Sequence, residues 1–510
     1  MMKNDIRLMV LGLLLFPTLT FCAAIDIASY GFGPEPRGRV VTFAAGAASR
    51  GFAWQTDTSV TESEVRLVPG TAQPADFASA PLVYTGTCTA VALPTTHCHR
   101  VMIDRLPAGT YSCRLGGAGH YAYGRLDVRA PGAAVTVVNF NDFQTSNPDK
   151  LCFAERAMAA SVKAVGGADK VDFLLSGGDF VDGWLRKSGS ARPIVRVGRS
   201  VEWGVACDTV AANYPSAPLV SSSGNHDFND YGDRMPIRYP EGLFPGCESL
   251  DYGNVHVATI PFAAGVWHER YARIYAWLDS DLATSRARGK SDWTVVCTHW
   301  GPNTTGDHAI LEPATTNFSV RLGELCAKHR VDLVLQAHDH TFSKTLPYRW
   351  SGKGWTTAER DVMAVDFAPG QAVLDGEPYD ADPMGTYYLS AGCLGHRVGE
   401  NVKFACPTGT VSYSKRAYRI ETGTLAVDSK WGRKGDAASA DLPRSMFGVL
   451  HVEGRRLSYD WYVVEQDGTY ELYDKLRVAK RTRMNNEEDE QVVDDGFRRG
   501  SSGRLPHGTN

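Results

Sequence analysis

The 510-residue chain carries 53 Lys and Arg against 57 Asp and Glu, with 43% hydrophobic and 22% charged residues. A net charge of −4 and a pI of about 6.4 exclude a strongly basic nucleic-acid coat, and the apolar content excludes a wholly disordered chain. Only one apolar run is membrane-like, which excludes a polytopic membrane protein; 51 glycines and 26 prolines suit a loop-rich β or α/β protein of two or three domains.

Residues 1–24 read as a cleaved export signal. Lys3 and Arg7 form a basic start, and Leu8 to Phe21 is apolar but interrupted by Pro17. That run is shorter than the roughly 20 residues a spanning helix needs. Cys22-Ala23-Ala24 then supplies small residues before the chain turns polar, the layout of a secretory signal. The expected location is secreted or periplasmic, with no integral membrane segment left in the mature chain. Phe21 before Cys22 is too bulky for the usual lipid-attachment pattern, so a lipid anchor is the lesser reading. The cysteines beyond the signal permit disulfides. Cys88, Cys98 and Cys113 lie close enough to supply one bridge, and Cys393 with Cys406 another; the connectivity stays open. Cys297 sits in an apolar strand and reads as a buried thiol, and the absence of any CxxC pair argues against a thiolate zinc site.

Residues 25–132 show short alternating runs such as Glu64-Val65-Arg66-Leu67-Val68 and Arg100-Val101-Met102-Ile103, broken by Pro69-Gly70 and Pro107-Ala108-Gly109. They predict a small β-sandwich. After Ala130-Pro131-Gly132, apolar strands at Ala134–Val138, Val171–Leu175, Pro218–Val220, Trp293–Cys297 and Val331–Leu335 alternate with helical stretches. Helices are expected over Glu155–Val165, Tyr271–Ala287 and Ser319–His329. The expected fold is therefore α/β: an N-terminal β-sandwich followed by a layered domain over residues 133–480. Residues 344–385 read as an excursion that shapes the pocket. Further strands are expected over 446–480, with a turn at Glu465-Gln466-Asp467-Gly468, and a disordered charged tail over 481–510.

Five polar clusters each follow directly on an apolar strand: Asn141-Asp142-Phe143-Gln144, Gly178-Asp179-Phe180-Val181-Asp182, Gly224-Asn225-His226-Asp227, Thr298-His299-Trp300 and Ala337-His338-Asp339-His340. Ligand sites of α/β sheets form at the carboxyl ends of strands. Carboxylate, amide oxygen and imidazole without thiolate suit Zn, Mn or Fe. The set is large enough for two ions, with one carboxylate shared between them. Asp227 reads as a helix cap, Trp300 as packing, and His308 and His396 as surface or structural residues.

These motifs resemble those of the calcineurin-like metallophosphoesterase superfamily, whose pattern runs D-x-H, GD, GNH(D/E), a lone H and GHxH. The match spans roughly residues 134–400 in order. The upstream segment, ending in Leu106-Pro107-Ala108-Gly109-Thr110-Tyr111, is similar to the fibronectin-like N-terminal domain of purple acid phosphatases. The resemblance implies a four-layer αββα catalytic domain and a two-metal centre. In that centre Asp179 bridges, Asp142 and His340 complete one metal site, and Asn225, His299 and His338 the other. It makes His226 the phosphate-binding proton donor, oriented by Asp182. Gln144 replaces the family's histidine and either ligates through its oxygen or hydrogen-bonds a ligand. Asp182 stands where purple acid phosphatases carry the tyrosine that colours them. The function implied is hydrolysis of a small phosphorylated substrate by attack of a metal-bound hydroxide, with no nucleic-acid partner. A phosphomonoesterase is the leading reading. The alternatives are a phosphodiesterase or nucleotide pyrophosphatase, and an inactive surface binding module.

Overall fold

The computed structural model describes residues 25–92, 95–146, 148–182, 199–227, 230–262, 269–301, 313–340, 342–345, 347, 370–395, 420–422, 445–465 and 467–481. The export segment, His308, His396, Cys406, residues 348–369 and the tail after residue 481 lie outside the described residues.

The N-terminal part supplies β1 (Arg37–Thr42), β2 (Arg50–Thr56), β3 (Glu64–Pro69), β4 (Leu82–Thr85), β5 (Thr87–Val91), β6 (Thr96–Ile103), β7 (Gly109–Gly117) and β8 (His120–Val128). The next elements are β9 (Ala134–Phe140), α1 (Pro148–Ala164), β10 (Phe173–Ser176), α2 (Arg199–Asn213), β11 (Leu219–Ser221) and α3 (Tyr231–Arg234). Then follow β12 (Glu248–Tyr252), β13 (Val255–Ile260), α4 (Glu269–Arg288), β14 (Trp293–Thr298), α5 (Pro313–His329), β15 (Leu333–Gln336) and β16 (Phe342–Thr345). The last are β17 (Gly370–Leu374), β18 (Glu377–Ala381), β19 (Tyr387–Ala391), β20 (Ile420–Thr422), β21 (Ser445–Glu453), β22 (Arg456–Val464) and β23 (Tyr470–Ala479).

Two large sheets face each other. The first runs β17-β18-β23-β22-β21-β9-β10-β11-β1-β2-β6-β5, and the second β12-β13-β14-β15-β19-β16-β20. Val135, Val137, Phe173 and Leu175 of the first pack against Val257, Val295, Leu333 and Leu335 of the second, with Tyr459 and Trp461 filling the same core. On the outer face of the first sheet, Ala154, Met158, Trp203, Ala206 and Val210 of α1 and α2 cover Val138, Phe140 and Leu174. On the outer face of the second, Ile274, Leu278, Phe318 and Leu322 of α4 and α5 cover Val296 and Val334. The result is the four-layer αββα arrangement. Central strands are apolar on both faces because both faces are covered, which is why their sequences run apolar without alternation.

The N-terminal strands form a sandwich of β1, β2, β6 and β5 against a four-stranded sheet ordered β4-β3-β7-β8, closed over Phe52, Trp54, Leu67, Val101 and Leu115. It is not separated from the rest at sheet level. β1 pairs in parallel with β11 through Thr42 and Leu219, so Pro131 ends a stretch of chain but not a sheet. Ala53 and Val40 join the α2 side while Phe52 and Trp54 face the sandwich.

Three findings differ from the sequence reading. Helix α2 has no counterpart in it: ten of its residues are buried, Gly204 sits mid-helix, and no polar face produces a helical period. A Cβ on Gly204 would stand 2.7 Å from the Tyr30 ring, so the glycine is a close approach. The described part of the 344–385 excursion does not shape the strand-end clusters. The β17–β18 hairpin extends the first sheet beside β23, and Asp382 to Thr386 line a cleft with Asp292 and Asp332 at the amino ends of β14 and β15. Finally, Cys88, Cys98 and Cys113 are free thiols, so no bridge joins them; Cys297 is a buried thiol, as its apolar strand implied, and the pairing of Cys393 with Cys406 falls outside the described residues. No described helix is long and apolar enough to cross a membrane.

Candidate metal centre

β9, β10 and β11 run parallel in the first sheet, and β14 and β15 run parallel in the second. Their carboxyl ends deliver the polar clusters to one edge, where the two sheets meet. The loops that follow them are tightly turned. Asp142, Gln144, Asp179, His338 and His340 all have positive φ, between 43° and 73°, and make up five of the ten such non-glycine residues described. Left-handed backbone costs an L-residue roughly 1–2 kcal/mol. Its concentration at these side chains marks a place where aim has prevailed over comfort.

Two glycines let the loops touch. A Cβ on Gly178, φ 98°, would stand 2.4 Å from the Gly224 nitrogen, and one on Gly224 would stand 1.9 Å from Asp179 Oδ1. The Asp227 carboxylate, fully buried, then locks the Asp179 turn. It accepts the main-chain N–H groups of Asp179 at 2.6 Å, Phe180 at 2.9 Å and Gly224 at 3.0 Å. Asp227 is thus a cap for the neighbouring loop and not for a helix. Its four main-chain acceptor contacts hold the carboxylate whose position matters most, and the His226 N–H adds a bond to Asp179 Oδ1 at 2.9 Å.

His299, wholly buried, sits at the junction of the sheets. Its Nδ1 lies 3.0 Å from the Gly177 main-chain oxygen, which only accepts, so Nδ1 carries the proton and Nε2 presents its lone pair. That lone pair faces Asn225 Oδ1 at 2.7 Å, His338 Nδ1 at 3.1 Å and Asp179 Oδ2 at 3.5 Å. One ligand atom from each of Asp179, His299 and His338 fits within 4.8 Å of the others. Electron-rich atoms packed this closely repel unless a cation lies among them, and the hydrogen bond on the far ring nitrogen is the usual way a metal-ligating imidazole is oriented. The donor set therefore fits a metal ion.

The second half of the set lies alongside. Asp142 Oδ1 is 3.3 Å from His340 Nε2, and Oδ2 accepts the His338 N–H at 3.2 Å. Gln144 donates its Nε2 to Asp179 Oδ2 at 3.0 Å, so its nitrogen, not its oxygen, is turned to the bridging carboxylate; a half-turn of the amide exchanges them. All seven expected ligands thus converge, with Asp179 touching members of both groups.

His226 stands beside them. Its Nε2 is 3.7 Å from Asp179 Oδ2. Its Nδ1 lies 3.2 Å from the main-chain oxygen of Asp182 and 3.8 Å from the carboxylate Oδ1. Asp182 thus orients the ring chiefly through its backbone, while its Oδ2 takes the Ser146 hydroxyl at 2.7 Å. Burial pulls the His226 pKa below its ordinary value, against the upward pull of Asp179 and Asp182. Burial pushes Asp179 up to about 6, opposed by His226 and reinforced by Asp142. Without a cation, this carboxylate is held in a place that disfavours its charge.

Sequence reasoning missed Glu202 and Arg199 of α2. Glu202 accepts the Asp182 N–H at 2.6 Å, and Arg199 donates to the His226 main-chain oxygen at 2.9 Å. Neither lies in a motif, and nothing in their local sequence sets them apart. Trp300 packs on Phe262, Tyr271 and Phe318.

Residues 136–342 match the family model of the calcineurin-like phosphoesterases, a span that contains every residue of this centre. Purple acid phosphatase 21 of Arabidopsis thaliana is 23% identical over 256 residues, 47% of this chain and 50% of that protein. The chain thus spans about half the length of the curated relative it matches. The purple acid phosphatase from yellow lupin (Lupinus luteus) seeds superposes with a TM-score of 0.57 at 13% identity, over 89% of this chain and 75% of that one. At such identity the second likeness speaks for the fold alone.

Proposed function

We propose that this chain, a member of the calcineurin-like phosphoesterase family through residues 136–342, hydrolyses small phosphate esters at a centre of two metal ions. The reading places Asp142, Gln144, Asp179 and His340 around one ion, and Asp179, Asn225, His299 and His338 around the other. The observation that carries it is the His299 Nε2 lone pair facing Asn225 Oδ1, His338 Nδ1 and Asp179 Oδ2 within 3.5 Å.

When bound, the ions supply an activated water and offset the negative charge on the phosphoryl oxygens. The chain's own residues do the rest. Asp227 fixes the Asp179 turn, so the shared carboxylate does not swing between the two halves. His226 turns Nδ1 toward Asp182 and keeps Nε2 on the side of the centre, where it meets the departing oxygen and hands it a proton. Serine or cysteine nucleophiles play no part.

Phosphomonoesters are the preferred substrates in this reading, with diesters as the runner-up because Gln144 replaces a histidine ligand. Export rests on the sequence of residues 1–24, and N-terminal sequencing of the mature protein from its native host tests it. For the function, the purified chain is assayed on a chromogenic monoester and the matching diester after chelation and after add-back of Mn, Zn or Fe. Bound metal is counted by mass spectrometry. Metal-dependent hydrolysis supports the reading, and the ester ratio chooses between the two activities. No bound metal and no hydrolysis overturns it in favour of a binding module.

A further inference from the structure

The first turn of α2 touches both loops that carry His226 and Asp182, and it is itself held from behind. Arg199, 15% exposed in its side chain, donates Nη2 to the His226 main-chain oxygen at 2.9 Å. Its Nε lies 3.2 Å from Asp230 Oδ2, and Nη2 also bonds Oδ1. Asp230 takes Nε of Arg234 at 2.9 Å on the same carboxylate. Arg234 is 4% exposed; it donates Nη1 to Gln55 Oε1 at 2.6 Å and Nη2 to Ser200 Oγ at 3.1 Å. Gln55 belongs to β2 of the N-terminal sandwich, and Arg100 of β6 reaches the Gly232 carbonyl in the same segment.

A single carboxylate thus grips two guanidinium groups. Planar five-donor cations fit such a role because they bond in several fixed directions at once. The chain of contacts begins in the sandwich and ends on the peptide oxygen of the residue whose ring faces the metal ligands. Rotation of that peptide would carry the ring off the Asp182 oxygen, 3.2 Å from Nδ1.

We propose that Asp230 is a positioning residue: by clamping Arg199 to Arg234 it fixes the His226 peptide and ties the proton-donating loop to the sandwich through Gln55. The proposal rests on the functional reading above, in which His226 protonates the leaving oxygen. A displaced proton donor has a signature that plain destabilisation lacks. It harms esters with poor leaving groups and spares those whose leaving group departs unprotonated.

The test compares Asp230→Asn with wild type in the metal-loaded full chain, on an alkyl phosphate and a nitrophenyl phosphate. On the alkyl ester kcat is expected to fall about tenfold or more, against less than about threefold on the nitrophenyl ester, with KM within about twofold. Bound metal stays at the wild-type level, and Asp230→Glu restores part of the loss. Gln55→Ala, far from the reacting atoms, reproduces the same ester selectivity at smaller size. Equal losses on both esters, loss of metal, or a raised KM with unchanged kcat would overturn the proposal; the last would make Arg199 a substrate-binding group. Wild type inactive on both esters would condemn the functional reading instead. The clamp is then judged on the His226 imidazole ¹⁵N shifts, which move in Asp230→Asn if it holds and stay fixed if it does not.

Discussion

His99 and His299 are both wholly buried, one in the sandwich and one at the sheet edge, and their surroundings differ in kind. His99 lies flat on Trp54, with ring centroids 5.2 Å apart and planes 7° apart. Its Nε2 meets the Thr56 hydroxyl and its Nδ1 the Ser63 hydroxyl, each at 2.9 Å. A hydroxyl both donates and accepts, so this ring is satisfied as it stands. His299 instead has its one acceptor nitrogen turned toward an amide oxygen, a carboxylate and a second imidazole. The first environment is complete in itself, and the second calls for a cation. Burial alone does not separate a structural histidine from a ligand; the sense of its neighbours' hydrogen bonding does.

The largest expected effect breaks the second environment. Asp179→Asn removes the carboxylate that meets Gln144 of one ligand group and His299 of the other, and turnover should fall at least about 10³-fold. The same change should raise the stability of the metal-free protein near neutral pH. Asp179 is pushed up to about 6 by burial, so above that pH the folded state holds a charge it disfavours. Parallel thermal melts with and without metal test this. The variant should melt above wild type when both are chelated and gain less from added metal. Near-normal turnover with a full metal complement would sink the two-metal reading.

Next in size is the matching change in the sandwich. His99→Phe keeps the stack on Trp54 but leaves the Thr56 and Ser63 hydroxyls only the main-chain oxygens of Asp57 and Thr87 as partners, at a cost of about 0.5–1.5 kcal/mol. Chemical denaturation should show that loss, while kcat, KM and metal content stay at wild-type values. A loss of bound metal in this variant would mean that the two environments are not independent.

The sequence made the ends of the strands legible because each motif follows an apolar run, and buried parallel strands must run apolar. Asp142, Asp179, Asn225, His299, His338 and His340 could be named from that juxtaposition and from the family resemblance. What holds them was not legible. Asp227 serves main-chain amides of a loop 46 to 48 residues away. Glu202 and Asp230 act across the chain on groups with which they share no motif, and an acid in a helix or turn ordinarily reads as solvated. Helix α2 escaped for the opposite reason, since burial on nearly every side leaves no polar stripe to reveal the period.

The smallest expected effect sharpens the comparison with a third buried histidine. His256 lies between Asp251 at 2.6 Å and Asp281 at 2.9 Å, with Arg288 paired to Asp251 and the Ser249 hydroxyl on Asp281. Burial pulls its pKa down, but the two carboxylates outweigh burial and the net shift is upward. Its contribution to stability is therefore complete below the ordinary histidine value of 6.5 and is lost as pH rises through the higher folded value. For His99, burial and the neighbouring His97 depress the pKa to about 4. That contribution is complete above 6.5 and is lost as pH falls toward 4. The two losses fall on opposite sides of 6.5, so these two groups alone give a melt that is highest near that pH and falls on either side, without showing which part of the chain gives way. Hydrogen exchange resolved by strand separates them: amides of β2 and β6 should lose protection on acidification, and amides of β12 and β13 on alkalinisation. Matching trends in both pairs of strands would mean that His256 is held neutral, and that the carboxylates beside it, like the hydroxyls beside His99, merely satisfy a ring.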